Sequence, residues 1–306
     1  MTEKADNQES LPFPSSNGAG KKADVRAGGG SGARAASKRK SLPYCDLDPS
    51  SWRDYVDIEL GSLWLFGSRE KGNGHSLDYH GNFIPQIATQ LLTRYSKQGD
   101  VVLDLFLGSG TTAIEALNLG RRCIGVELQP ELVCQVRSKI GRPHIDRDIF
   151  VLQGDSTCRE TMRSIRHVLG QLGESHAHLL ILHPPYWDIV QFSSDPKDIS
   201  NAASLDEFLS SFRRAARIGC ELLEPCRFAG LVIGDKYTAG ELVPLGFLTM
   251  QAMMDVGFRL KSIVVKNIEG NEIGKGKANN LWRYRALAGG FYIFKHEYVI
   301  VFQKPG

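Results

Sequence analysis

The run Val101-Val102-Leu103-Asp104-Leu105-Phe106-Leu107-Gly108-Ser109-Gly110-Thr111-Thr112 constrains the fold of this chain more than any other stretch. Val101 to Leu105 reads as a buried strand broken only by Asp104. Gly108 and Gly110 then mark a tight turn, and Thr111 to Leu119 carries Ala113, Ile114, Ala116 and Leu117 at helical spacing. Glycines at a strand-to-helix turn let backbone N–H groups approach a ligand with no Cβ in the way. Such a turn occurs in many α/β proteins that bind different nucleotides, or none, so the residues beyond it have to narrow the reading.

Three further strand-like runs each end in polar residues. Cys123 to Leu128 closes on Glu127, near the ~20-residue distance at which an acid takes ribose hydroxyls in dinucleotide folds. Ile149 to Asp155 closes on another acid, and Leu179 to Leu182 runs into His183-Pro184-Pro185-Tyr186. Strands of this kind place their terminal residues along one edge of a parallel sheet, where open α/β folds bind ligands.

Helices are expected at Pro85–Tyr95, Pro130–Ile140, Cys158–Leu172, Ser204–Leu223 and Leu242–Val256. Ser204 stands three residues before Glu207, the spacing of a capping box. Further strands are expected at Phe228–Ile233, Leu260–Val265 and Glu297–Gln303. The last has no helix before it, and a strand that returns without a crossover pairs antiparallel. The expected fold is therefore α/β, a seven-stranded, mostly parallel sheet with one antiparallel strand and helices on both faces.

Residues 1–43 are rich in Gly, Ala, Ser, Lys and Arg and cannot bury enough surface to fold, so they read as a disordered basic tail. Residues 44–306 read as the folded domain. The cluster Lys38-Arg39-Lys40 suits a solvated tail, non-specific phosphate contacts or a nuclear address. Six cysteines, none in a C-x-x-C pair, fit reduced thiols and argue against a zinc site. The net charge of +3 permits nucleic-acid binding without requiring it. No apolar run reaches the ~18 residues of a membrane span, and Met1 to Asp6 is too polar for a secretory signal. The expected setting is cytoplasmic, associated with a bacterial nucleoid, or nuclear in a eukaryote.

Asp104-Leu105-Phe106-Leu107-Gly108-Ser109-Gly110-Thr111-Thr112, taken with Pro184-Pro185-Tyr186, resembles the S-adenosylmethionine-dependent DNA amino-methyltransferases, which modify N6 of adenine or N4 of cytosine. Their glycine motif, D-x-F-x-G-S-G-T-T, is matched at every specified position. Their catalytic motif, [DNS]-P-P-Y, is matched except at the first position, where this chain has His183. The resemblance covers roughly residues 75–304 and implies a class I methyltransferase, Rossmann-like fold.

The resemblance implies S-adenosylmethionine as cofactor. Gly108, Ser109 and Gly110 would admit its methionine part, with Thr111 or Thr112 near the carboxylate. Asp104 would face the amino group, Phe106 would pack on the cofactor, Glu127 would hold the ribose and Asp155 the adenine amine. An exocyclic amine is a poor nucleophile because its lone pair is delocalised into the base. His183 and the Pro184 carbonyl would accept its two N–H groups, Pro185 would help to rigidify that carbonyl, and Tyr186 would stack on a base flipped out of DNA.

Imidazole accepts an N–H only when neutral, which predicts activity lost at acid pH. Serine at the first position accompanies mostly cytosine-N4 enzymes, and a non-acidic His183 is nearer that type than aspartate, so the reading leans to cytosine N4. Lys266–Gly290 is the candidate target-recognition insertion, with Lys275, Lys277, Arg283 and Arg285 for phosphates or bases and Trp282 or Tyr284 for stacking. Gln191–Asn201 is the candidate loop to close over the flipped base. DNA is the expected partner, with no membrane, no metal and a candidate homodimer, in the setting of DNA methylation and restriction-modification. Three other readings stay open: an adenine-N6, RNA or protein amine methyltransferase, a catalytically silent DNA-binding module, and a plain nucleotide-binding or dehydrogenase fold.

Overall fold

A computed structural model describes residues 41–67, 81–238, 240–268 and 279–306. The tail up to Lys40, together with Lys275 and Lys277, lies outside the described residues, as does the side chain of Trp282. In chain order the elements are β1 (Leu63–Trp64), α1 (Pro85–Tyr95), β2 (Val101–Asp104), α2 (Thr111–Asn118), β3 (Arg122–Glu127), α3 (Pro130–Ile140), β4 (Ile149–Gln153) and α4 (Arg159–Gln171). They continue with β5 (Ala177–Leu182), α5 (Leu205–Leu222), β6 (Leu223–Ile233), β7 (Lys236–Thr238), β8 (Glu241–Val243), α6 (Leu245–Asp255), β9 (Arg259–Asn267), α7 (Asn279–Gly289) and β10 (His296–Gln303).

The main sheet runs β1-β9-β10-β6-β5-β2-β3-β4. β10 is antiparallel to both β6 and β9, and the pairs β4–β3, β3–β2, β2–β5, β5–β6 and β1–β9 are parallel. The seven expected strands are all present with one reversed, and the sheet has an eighth. That strand, β1, has only two residues, too few for an alternating pattern to register in the sequence. It is held from outside its own ladder, since the Asn267 side chain accepts from the Phe66 N–H at 2.8 Å and donates to the Phe66 carbonyl at 3.0 Å.

Two apolar layers cover the sheet. One gathers Ile87, Leu91, Ala113 and Val136 from α1, α2 and α3, and the other gathers Ile165, Phe208, Phe212 and Met253 from α4, α5 and α6. Phe208 and Phe212 are one turn apart on α5 and fully buried. Truncating either to alanine would cost ~3–5 kcal/mol. The Ser204 side chain accepts from the Glu207 N–H at 3.2 Å, and the Glu207 carboxylate accepts from the Ala203 N–H at 2.8 Å. The capping spacing read from the sequence thus starts α5.

Three expectations are revised. Leu242 is in β8, not in a helix; α6 begins only after Pro244, because proline is accepted at a helix start and not inside one. β7 and β8 form a separate antiparallel ribbon. Part of the candidate target-recognition insertion Lys266–Gly290, where no helix is expected, is the helix α7, whose exposed surface gives no amphipathic signal.

The chain moves outward from β2 to β3 and β4, then returns to β5 on the other side of β2 and continues to β6. The carboxyl ends of β2 and β5 therefore flank the switch point, the place where α/β sheets hold ligands. The glycine turn follows β2 and His183–Tyr186 follows β5, so neighbouring strands bring the two motifs together.

Candidate active site

A cavity of about 710 Å³ opens over this switch point. Gly108, Phe106 and Thr111 line it from the glycine turn, Glu127 and Asp155 from the ends of β3 and β4, and His183 to Tyr186 from the end of β5. Asn82, Phe83 and Ile84, just ahead of α1, form another wall. Phe192, Lys197, Asp198 and Ile199 line it from the loop expected to close over the site.

The glycine turn is built by packing as well as by conformation. Gly110 has φ +91° and caps α2 with no side chain, and a Cβ there would fall 2.8 Å from Val136 Cγ1. The first-turn N–H groups of α2 thus have no side-chain cap. Among the described residues, Thr111 Oγ1 and Thr112 Oγ1 are buried with no hydrogen-bond partner. Leaving polar groups so costs stability unless a ligand completes them.

Glu127 is held at both oxygens: Gly108 N–H donates to Oε2 at 2.9 Å and Gln129 N–H to Oε1 at 2.8 Å. Burial raises its pKa, and these backbone bonds pull it back. Asp155 Oδ1 accepts from the Thr157 N–H at 2.8 Å, and the Ser156 hydroxyl donates to the Leu105 carbonyl. Both acids face the cavity already oriented.

Asp104, Ser109, Gly110 and Thr112 lie behind this surface and do not line the cavity. Asp104 Oδ1 accepts from the Phe106 N–H at 2.9 Å and so ties the turn to the strand end. Burial pushes its pKa up to about 6, and the Phe106 N–H and the nearby Thr112 hydroxyl hold it from going higher. The Thr112 hydroxyl falls short of hydrogen-bond geometry.

The His183 ring stands edge-on to Phe83 at 5.1 Å and to Tyr186 at 5.7 Å between centroids. Burial lowers its pKa to about 4, against a pull upward from Glu297 and with a further push down from Lys266. The imidazole is therefore neutral and able to accept across the ordinary pH range. Tyr186 packs its ring on Gly234, where a Cβ would lie 2.9 Å from Tyr186 Cε2. Trp187 follows with φ +51°. It is held by its Nε1–H donating to the Ala202 carbonyl at 2.9 Å and by Lys236 Nζ 4.2 Å above its ring.

Two residues of this wall were not singled out in the sequence. Glu297 and Lys266 are both buried, both line the cavity and form an ion pair at 2.9 Å. They are direct cross-strand partners on β10 and β9. The trace in the sequence is slight: Lys266 follows the apolar run of β9, which also carries Arg259 and Lys261, and Glu297 precedes the apolar run of β10. Of the proposed DNA contacts, Arg283 and Arg285 are exposed on α7 and Tyr284 is 68% exposed; none of them lines the cavity. Among the described residues no helix is long and apolar enough to cross a membrane, and no group of His, Cys, Asp and Glu could hold a metal ion.

Residues 29–137 match the family model for DNA methylases, N6_N4_Mtase. The match takes in the glycine turn and Glu127 and stops before His183. The chain is 40% identical over 52 residues to type II methyltransferase M.MjaII of Methanocaldococcus jannaschii, covering 17% of this chain and 10% of that protein. It is 33% identical over 120 residues to type II methyltransferase M.BglI of Bacillus subtilis, covering 39% and 32%. It is 36% identical over 91 residues to type II methyltransferase M1.MboII of Moraxella bovis, covering 28% and 35%. The matched stretches span from a tenth to about a third of these relatives' lengths. These matches support an amino-methyltransferase of the N4/N6 type, for which S-adenosylmethionine is the methyl donor.

Proposed function

We propose, from the DNA methylase likeness of residues 29–137, that this chain transfers a methyl group to N4 of a cytosine flipped out of DNA. The observation that carries the reading is a shared cavity: the glycine turn and His183–Tyr186 face one space over the sheet edge.

The residues present fit the donor. Its carboxylate has the uncapped N-terminus of α2 and the orphaned Thr111 hydroxyl to meet it. Glu127 is pinned with lone pairs to spare for ribose hydroxyls, and Asp155 is placed for an adenine amine. Asp104, which does not line the cavity, acts here by holding the turn. S-adenosylmethionine supplies an electrophilic methyl on a sulfonium.

The chain's own work is on the acceptor. The neutral His183 ring accepts one N–H of the amine and the Pro184 carbonyl the other. That directs the lone pair out of the base plane toward the incoming methyl. Tyr186 supplies an aromatic face for the base, with its ring fixed by Gly234 and Glu297. Arg283 and Arg285, with Lys275, Lys277 and Trp282, are proposed to contact the duplex outside the cavity.

The test offers labelled donor to mixed-sequence DNA, RNA and protein, followed by mass spectrometry of nucleosides and peptides. N4-methylcytosine from DNA is the expected product. N6-methyladenine would refute the choice of base, and label in RNA or protein alone would refute DNA as substrate.

A further inference from the structure

The cavity holds one feature that methyl transfer to an amine does not require. Lys266 and Glu297 bury opposite charges inside a ligand site, where desolvation works against them. The Lys266 ammonium donates to Glu297 Oε1 at 2.9 Å, and Glu297 Oε2 accepts from the Tyr186 hydroxyl at 2.8 Å. An ammonium has three hydrogens. Among the described residues one of them meets an acceptor in the protein, and the side chain is only 6% exposed. The chain thus keeps unspent donors on a residue that lines the cavity, beside the ring expected to stack on the base.

We propose that Lys266, held by Glu297, reads the O2 carbonyl oxygen of the flipped cytosine and so determines the base that is methylated. This rests on the reading of the cavity as the site of a DNA amino-methyltransferase. In cytosine an oxygen stands on the far side of N3 from the amine. Adenine has ring nitrogens but no oxygen at any edge. A site that grips the amine through His183 and the Pro184 carbonyl leaves that oxygen toward another wall, and a donor there distinguishes the two bases. Discrimination by a buried polar group is strong, because the wrong base leaves the donor unmatched.

The same geometry disfavours a phosphate as the partner of Lys266. Glu297 cancels the ammonium charge at 2.9 Å and would repel a phosphate. A carbonyl oxygen has no net charge and takes the hydrogen without that penalty. The pair is also braced. Asn267, the next residue, holds both backbone groups of Phe66, and Glu297 is tied at once to Lys266 and to Tyr186. The donor that reads the base and the ring that stacks on it therefore share one carboxylate.

The experiment compares duplexes carrying cytosine with duplexes in which 2-thiocytosine replaces it, since sulfur is a weak hydrogen-bond acceptor. Single-turnover rates are read by nucleoside mass spectrometry, for the wild type and Lys266→Met. The wild type is expected to lose about tenfold in rate on the thio substrate, and the variant about tenfold on ordinary cytosine. The variant should lose nothing more on the thio substrate. Unchanged binding of S-adenosylhomocysteine shows that the variant is folded; if it does not fold, the wild-type comparison of oxygen with sulfur stands alone. A wild type indifferent to sulfur, or losses that add, would overturn the proposal. Methylation of adenine N6 by the wild type refutes the cytosine reading itself, and it does so through a different product.

Discussion

The hydroxyl of Tyr186 donates to Glu297 Oε2 at 2.8 Å, across 111 residues of sequence. The bond fixes the Tyr186 ring from a neighbouring residue of the same cavity wall, so the two proposed functions of Tyr186 can be separated. Tyr186→Phe keeps the aromatic face and loses the anchor, which should lower turnover by ~3- to 10-fold. Tyr186→Ala loses the face as well and should weaken DNA engagement by ~5- to 150-fold. Steady-state kinetics on a methylated-product assay checks the order. Equal losses in the two variants would mean that the ring face does not meet the base.

In the proposed reaction, His183 sets the acid limit. Its pKa is lowered to about 4 by burial, so the accepting form persists well below the usual histidine range. Methyl transfer should stay level through pH 5 and fall as the pH approaches about 4, where the ring gains its proton. Stability follows the same group. The unfolded chain takes up that proton near pH 6.5 and the folded chain does not, so the fold loses stability as pH drops from there toward about 4. A rate profile that breaks near pH 6.5 would show an imidazole exposed to water.

His183→Ala should abolish transfer while binding of S-adenosylhomocysteine persists, because the role proposed for the ring is toward the acceptor amine and not the donor. His183→Asn restores an accepting oxygen and is expected to recover part of the rate. The fall in rate near pH 4 that the imidazole causes should vanish in that variant. Undiminished turnover in His183→Ala would show that the side chain accepts nothing from the amine.

Asp104 titrates in the opposite sense. Its folded pKa is raised to about 6 by burial, so keeping it ionised costs the fold stability above that pH. Asp104→Asn retains an oxygen to accept the Phe106 N–H and removes the charge. Thermal melts should show the variant gaining on the wild type at pH 8. The gain should shrink to nothing below about pH 4, where both the folded and the unfolded carboxyl are protonated. A gain independent of pH would contradict a buried charge at this position.

Gly110→Ala tests the turn. The residue needs φ +91°, and the new methyl would meet Val136 at 2.8 Å. Strain and crowding together should destabilise the protein by ~2–4 kcal/mol. Donor binding should weaken more than stability alone explains, since α2 must shift with its first turn. Chemical denaturation and calorimetry separate the two effects.

Much of this was legible in the sequence because the signals are local. Pro85, Pro130, Gly141 and the Ser204–Glu207 pair mark helix ends within a few residues, and buried strands such as β2 are continuous apolar runs. The glycine turn and the proline pair carry their chemistry in adjacent residues. The Lys266–Glu297 pair does not: it exists only through the register of β9 against β10, and register is decided by packing along whole strands. β1 was lost for the same reason, since two residues gain strand character only from their partner. α7 is not among the helices expected from the sequence because polar and apolar residues fall around its whole circumference. The seven-strand count followed from helices alternating with strands, a pattern to which β1 makes no contribution.

The most direct test of the account is a bisubstrate ligand in which cytosine N4 is joined by a short carbon linker to an adenosyl donor. If the donor and the flipped base meet in the cavity between Gly108 and Tyr186, calorimetry should show it binding roughly 100-fold more tightly than S-adenosylhomocysteine. Tyr186→Ala should remove most of that advantage. Affinity no better than that of S-adenosylhomocysteine, or indifferent to Tyr186, would mean that donor and base do not share this space.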